Sequence, residues 1–137
     1  MIDIQIVNEP IKYFEFDENR VEDGSELLFN GRVRFKENNI VIEGLEYEQY
    51  EGMAELELGK IAQLTCEKFP INELYCKHRV GRIGVGEISL HVVIFSKHRK
   101  EGLAAMNWFI SELKKLVPIW KWAIMTDNSR VPSECEH

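Results

Sequence analysis

A chain of 137 residues, 45% hydrophobic and 29% charged, has the length and composition of one globular domain, which excludes a collagen-like, low-complexity or extended disordered polymer. Its 23 Asp plus Glu outnumber 17 Lys plus Arg for a formal net charge of −6, so its overall field repels nucleic acid and anionic membrane. No apolar run reaches the roughly 18 residues of a membrane span, and the start lacks the basic and apolar regions of a signal peptide, so a soluble, unsecreted, cytoplasmic protein is expected.

In chain order, Ile2, Ile4 and Ile6 alternate with polar positions and predict an opening strand with three isoleucines on one face. The acidic stretch 14–26, broken by Asp23-Gly24-Ser25, predicts a loop or a short helix. β-Branched and aromatic residues recur over 27–35 and 39–47. The intervening Lys36-Glu37-Asn38-Asn39 has turn chemistry, so the two runs are expected to pair as a hairpin. Past Gly52, the residues Ala54, Leu58, Ile61, Ala62, Thr65 and Phe69 fall at helical spacing, and Pro70 supplies the stop. Residues 74–83 and 87–95 predict a second hairpin around Gly84-Val85-Gly86, its second strand apolar enough to be central. Leu103, Met106, Ile110, Leu113 and Val117 then mark an amphipathic helix ended by Pro118, followed by a strand over 119–125. The whole chain, 1–137, reads as a single domain, with a flexible tail expected from about residue 127. Strand pairs alternating with two main helices predict an α+β fold with an antiparallel-rich sheet.

The basic residues of this acidic chain are clustered. Arg32 and Arg34 lie two apart on a predicted strand, so both guanidinium groups leave the same face. Ser96-Lys97-His98-Arg99-Lys100 falls where a strand becomes a helix, and a helix N-terminus presents unpaired N–H groups and a positive dipole end. Lys114 borders the apolar stripe of the second predicted helix, whereas Lys115 points to solvent. Lys121 is flanked by Trp120 and Trp122 after Pro118, a setting that holds an amine at a pocket wall. Partly desolvated amines become useful as bases, nucleophiles or proton donors near neutral pH. His78-Arg79 is a second His-Arg pair that can join the basic face, and His91 in its apolar strand reads as a satisfied core residue. The glycines of Gly81-Arg82-Ile83-Gly84-Val85-Gly86 precede a strand and not a helix, so they read as a turn and not as a phosphate loop. Cys66, Cys76 and Cys135 are odd in number and far apart, which argues against a zinc site. Neither a metal nor an organic cofactor is indicated.

Five pieces occur in order: Phe29-Asn30-Gly31-Arg32-Val33-Arg34; Leu45-Glu46-Tyr47-Glu48 with Tyr50 and Met53-Ala54; His78-Arg79-Val80-Gly81; Ser96-x-His98-Arg99; and Leu113-Lys114-x-x-Val117-Pro118-Ile119-Trp120-Lys121. Together they resemble the large, catalytic subunit of molybdopterin synthase over nearly the whole chain. The resemblance implies an α/β hammerhead-type fold and a sulfurtransferase of molybdenum cofactor biosynthesis. A small ubiquitin-like sulfur-carrier subunit delivers sulfur as a thiocarboxylate on its C-terminal Gly-Gly tail, and the large subunit passes it to cyclic pyranopterin monophosphate to build the dithiolene. It also implies a central homodimer within a heterotetramer. Carried over by position, Arg32, Val33, Arg34, His98 and Arg99 are substrate-binding, and Lys114 and Lys121 are substrate-binding and catalytic. The chain departs from the family after Lys121, where a basic residue and a Glu usually follow and Trp122 and Ala123 stand here. It departs again near its end, reading Asp127-Asn128-Ser129-Arg130-Val131 where Gly and Trp are common. The same residues would also suit a non-catalytic module that captures a Gly-Gly tail or an anionic metabolite. Such a binder tolerates Arg at positions 114 and 121, and sulfur transfer does not.

Overall fold

Residues 1–133 are described by a computed structural model. In chain order the elements are β1 (Ile2–Val7), β2 (Ser25–Arg32), β3 (Lys36–Glu37), β4 (Ile40–Val41), β5 (Gly44–Gln49), α1 (Met53–Lys68), β6 (Ile71–Arg79), β7 (Gly81–Gly84), β8 (Ile88–Ser96), α2 (Arg99–Leu116), β9 (Ile119–Ile124) and β10 (Arg130–Ser133). One sheet has the order β1-β6-β8-β2, with β1 parallel to β6 and the other pairs antiparallel. A second, fully antiparallel sheet has the order β10-β9-β5-β7. Neither helix is long and apolar enough to cross a membrane.

Both helices form where the spacing predicts. α1 follows Gly52, whose φ of 83° suits glycine, and ends where Phe69 turns extended before Pro70. Its Ala54, Leu58, Ile61 and Ala62 meet Ala105, Met106, Phe109 and Leu113 of α2 over Leu74, Cys76, Leu90, Val92 and Ile94 of the first sheet. The other face of that sheet is covered by the segment between β1 and β2, whose Phe14 and Phe16 pack on Tyr75, Val93 and Phe95. With both faces covered, β8 must be apolar throughout, which is why it reads as a continuous run. A smaller core of Val33, Ile42, Leu45, Tyr47, Val80, Ile83 and Ala123 lies under the second sheet.

The strand pairing differs from the local reading. Residues 27–35 and 39–47 do not form one long hairpin: β2 runs against β8, Ser25 opposite Ser96, and β5 lies in the other sheet between β7 and β9. Asn38 and Asn39 do form a two-residue turn, with φ of 49° and 65°, but it closes only the short β3–β4 hairpin. Residues 74–83 likewise split. The chain leaves the first sheet after Arg79, turns at Gly81 (φ 88°) and joins the second sheet as β7, so β6 alone pairs with β8. Where a tail was expected, Arg130–Ser133 add a strand beside β9. The rest of that segment, 134–137 with Cys135, lies outside the described residues.

Candidate functional site

The Ser96-x-His98-Arg99 corner is built by close backbone approaches. Gly24 donates its N–H to the Ser96 carbonyl, and a Cβ on Gly24 would fall 2.2 Å from the Lys97 carbonyl oxygen. The buried Ser96 hydroxyl donates to the His98 carbonyl at 2.7 Å, fixing the turn into α2. Gly102 then lets the helix lie on the sheet, since a Cβ there would meet Ser96 Oγ at 2.7 Å and Leu27 Cδ1 at 2.9 Å. His98 is the N-cap residue and Arg99 opens the helix, both exposed. With Gly24, Ser25, Glu26, Lys97 and Lys100 they line an open cleft of about 540 Å³. Three cationic side chains around a helix N-terminus attract anions.

At the other end of β2, a bulge between Gly31 and Arg32 ends the strand. Arg32 is exposed and donates from Nη1 to the Gly86 carbonyl at 2.7 Å. Val33 is buried in the second core, and Arg34 beyond the strand's end is exposed again. Lys114 is exposed in the last turn of α2, and Lys115 beside it pairs with Glu112 at 3.7 Å.

Lys121 stands on the inner face of the second sheet, in one row with Ser133 of β10 and Tyr47 of β5, to which it is directly opposed in the two ladders. The strand neighbours that share its face, Ile119 and Ala123, pack in the apolar cores. It is accordingly half-buried. The Tyr47 ring meets His78 edge-on, centroids 5.3 Å apart. His78 is buried, and its Nδ1 lies 2.9 Å from the Arg79 carbonyl oxygen. A carbonyl only accepts, so Nδ1 carries the hydrogen. Burial pulls this imidazole down to about 4 against the raising effect of that hydrogen bond, and the Lys121 charge pushes the same way as burial. A neutral histidine therefore supports the tyrosine beside a lysine.

Two expectations need correction or completion. The pair His78-Arg79 does not join an exposed basic face: both are buried, and the Arg79 guanidinium donates to Glu87 at 3.3 Å and to the Arg82 carbonyl at 3.2 Å. Cross-strand register aligns Tyr47 and Ser133 with Lys121, and His78 reaches Tyr47 from the other sheet; no local spacing along the chain displays either relation. His91 is satisfied as expected, its Nδ1 bonded to Asn30 Oδ1 at 2.7 Å and its Nε2 accepting from the Phe14 N–H at 3.4 Å.

Within one protomer the cationic residues form two groups. Arg99 and Lys114 lie fifteen helical steps apart, about 22 Å at 1.5 Å each. β2 keeps Arg32 about 23 Å from the Ser25 end, where His98 and Arg99 sit. Lys114 and Lys121 flank the α2–β9 corner, while His98 and Arg99 belong to the opposite end of the helix. Of the two described cysteines, Cys76 is buried and Cys66 half-buried, and burial raises both thiols, which keeps them protonated and poorly nucleophilic.

Comparison with known proteins gives a consistent result. The MoaE protein family model matches residues 6–116. The molybdopterin synthase catalytic subunit of Staphylococcus aureus (strain COL) is 36% identical over 133 residues, spanning 95% of this chain and 89% of the relative. That of Pyrococcus abyssi (strain GE5 / Orsay) is 39% identical over 98 residues, spanning 72% and 66%. Among solved structures, the crystal structure of molybdopterin synthase from Staphylococcus aureus is similar with a TM-score of 0.81 at 35% identity, covering 91% of this chain and 93% of that one. A complex of subunits 1 and 2 of molybdopterin-converting factor from Helicobacter pylori 26695 shares the fold, with a TM-score of 0.73 at 24% identity and coverage of 96% and 90%.

Proposed function

The chain belongs to the MoaE family, the catalytic subunits of molybdopterin synthase, and on that premise we propose that it transfers sulfur at a pocket centred on Lys121. The donor is the thiocarboxylate on the Gly-Gly tail of a small ubiquitin-like subunit, and the acceptor is cyclic pyranopterin monophosphate. The observation that carries this reading is the placement of Lys121, an amine on the inner face of a sheet, rimmed by apolar core and backed by Tyr47 and a neutral His78. Both reactants are anions, and a half-buried amine offers them a charge that bulk water screens little. Lys114 stabilises the charge that develops on the thiocarboxylate carbonyl as sulfur leaves, and Lys121 orients the acceptor or moves a proton. With both described thiols held protonated, sulfur arriving on a partner's tail fits the chain better than sulfur carried on Cys66 or Cys76.

Arg34, His98 and Arg99 bind the pterin phosphate, which guanidinium groups hold by paired hydrogen bonds. Since His98 and Arg99 lie about 22 Å of helix away from Lys114, they serve the pocket of a second copy, in a homodimer that carries a small subunit at each end. The test is dithiolene formation from thiocarboxylated small subunit and cyclic pyranopterin. Lys114→Ala and Lys121→Ala should keep the wild-type circular dichroism and melting temperature and lose at least about a hundredfold in turnover. Wild-type turnover in either variant refutes the assignment. Arg at either position should not restore activity, which separates transfer from simple anion capture.

A further inference from the structure

The carboxylate expected two residues after the pocket lysine is missing here, because position 123 is alanine, 3% exposed and packed into the second core. The sheet nevertheless brings a carboxylate from a distant part of the chain to Ser133, the residue opposite Lys121. Ser133 stands directly opposite Lys121 in the β9–β10 ladder, and side chains so opposed leave the same face with Cβ atoms about 5 Å apart. The Ser133 hydroxyl lies 2.7 Å from each carboxylate oxygen of Glu37, its one hydrogen shared between them. Glu37 reaches this place on the β3–β4 hairpin. The left-handed Asn38 and Asn39 turn that hairpin, a 2.9 Å hydrogen bond from the Ile42 N–H to the Phe35 carbonyl closes its base, and the buried Ile42 anchors it in the second core.

We propose that Glu37, clamped by Ser133, is the positioning carboxylate of Lys121, pairing with its ammonium and aiming it into the pocket. Among the described residues, those that face Lys121 include Tyr47 of β5, Ser133 of β10, His78 of β6 and, through Ser133, Glu37 of β3. Glu46, Glu48 and Arg130 belong to the same strands but are taken up with one another, Arg130 Nη1 lying 3.4 Å from Glu46 and 3.0 Å from Glu48. Glu46 is directly opposed to Trp122, whose side chain leaves the face opposite to Lys121. An adjacent carboxylate favours the charged form of an amine, whereas burial beside apolar side chains and a neutral imidazole opposes it.

The pairing rests on Lys121 being the pocket lysine only for its consequence in catalysis, so it is tested first on the full chain alone. Carbon-13 titration of the lysine Cε signals, with Lys121 assigned by its loss in Lys121→Arg, reads the protonation midpoint of each amine. Glu37→Gln should lower the Lys121 midpoint by about one pH unit and leave Lys114 unmoved, and Ser133→Ala should lower it by less. An unmoved Lys121 midpoint in Glu37→Gln, or an equal shift at Lys114, overturns the proposal. In the turnover assay the alkaline limb of kcat should move down by the same amount with KM unchanged. A shifted Lys121 midpoint with unaltered turnover upholds the pairing and refutes the catalytic reading of Lys121.

Discussion

His78 shows how one buried side chain links stability to the site. Its imidazole is held down to about 4 by burial, from an ordinary value of 6.5, so the unfolded chain binds a proton that the folded chain refuses between those two limits. The stabilisation from keeping it neutral is therefore complete above pH 6.5 and is lost as the pH falls toward 4, about 3 kcal/mol in all. Denaturant unfolding at pH 7 and pH 4 should show the wild type losing that much more stability than His78→Gln, in which no imidazole titrates. Proton NMR should place the His78 midpoint near 4, and a midpoint near 6.5 would contradict the buried, neutral assignment. His91 adds a smaller loss of the same sign, because burial first and Lys77 second lower it, and protonation breaks the bond its Nε2 accepts from Phe14. Both histidines lie on strands whose apolar spacing is plain in the sequence. What distinguishes a satisfied core histidine from one that backs Tyr47 is the neighbour supplied by another strand, and that neighbour is invisible to a reading along the chain.

The helices carry a contrast that spacing alone hides. Gly59 in α1 has nothing within 4 Å of where a Cβ would stand, so Gly59→Ala should stabilise by about 1 kcal/mol through helix propensity. Gly102 in α2 would push a Cβ against Ser96 Oγ and Leu27 Cδ1, so Gly102→Ala should cost about 1–2 kcal/mol despite the same propensity gain. Thermal melts should therefore move in opposite directions. Gly102→Ala should also weaken phosphate binding at the His98–Arg99 corner, which it displaces. α1, α2, the opening strand, the central β8 and β9 were legible because each is written in one local period of apolar residues. The partners of β2 and β5 were not. Asn38-Asn39 signals a real turn, but a turn specifies a hairpin of two residues as well as one of nine, and the decision falls to β8, whose Ser96 takes Ser25 as partner more than seventy residues away. The sheet switch at Gly81 was hidden for the same reason: an isolated glycine marks a bend without saying which sheet receives the chain.

At the scale of the molecule, the cations assigned to the proposed site are divided by the length of the secondary structure that carries them. The 18-residue α2 holds Lys114 in its last turn and Arg99 in its first, about 22 Å apart, and a rigid helix cannot fold to bring them together. The cations assigned to the proposed pocket stand out as residue types and motifs, but their division between two ends does not, since it follows from the helix lying along β2 and β8 and not doubling back. The proposed symmetric dimer would resolve the distance, because a two-fold axis places each contributing surface against its copy and makes two equivalent pockets. If His98 and Arg99 serve the pocket of the neighbour, a subunit lacking them still supplies a working Lys114–Lys121 end, and a subunit lacking Lys121 still supplies a working His98–Arg99 end. Mixing Lys121→Ala with Arg99→Ala after reversible dissociation should then restore about one quarter of wild-type turnover, since half of the randomly formed dimers are mixed and each of those has one complete pocket. Both variants alone should remain inactive. If all pocket residues came from one subunit, mixed dimers would contain no complete pocket and the mixture would stay as inactive as its parts.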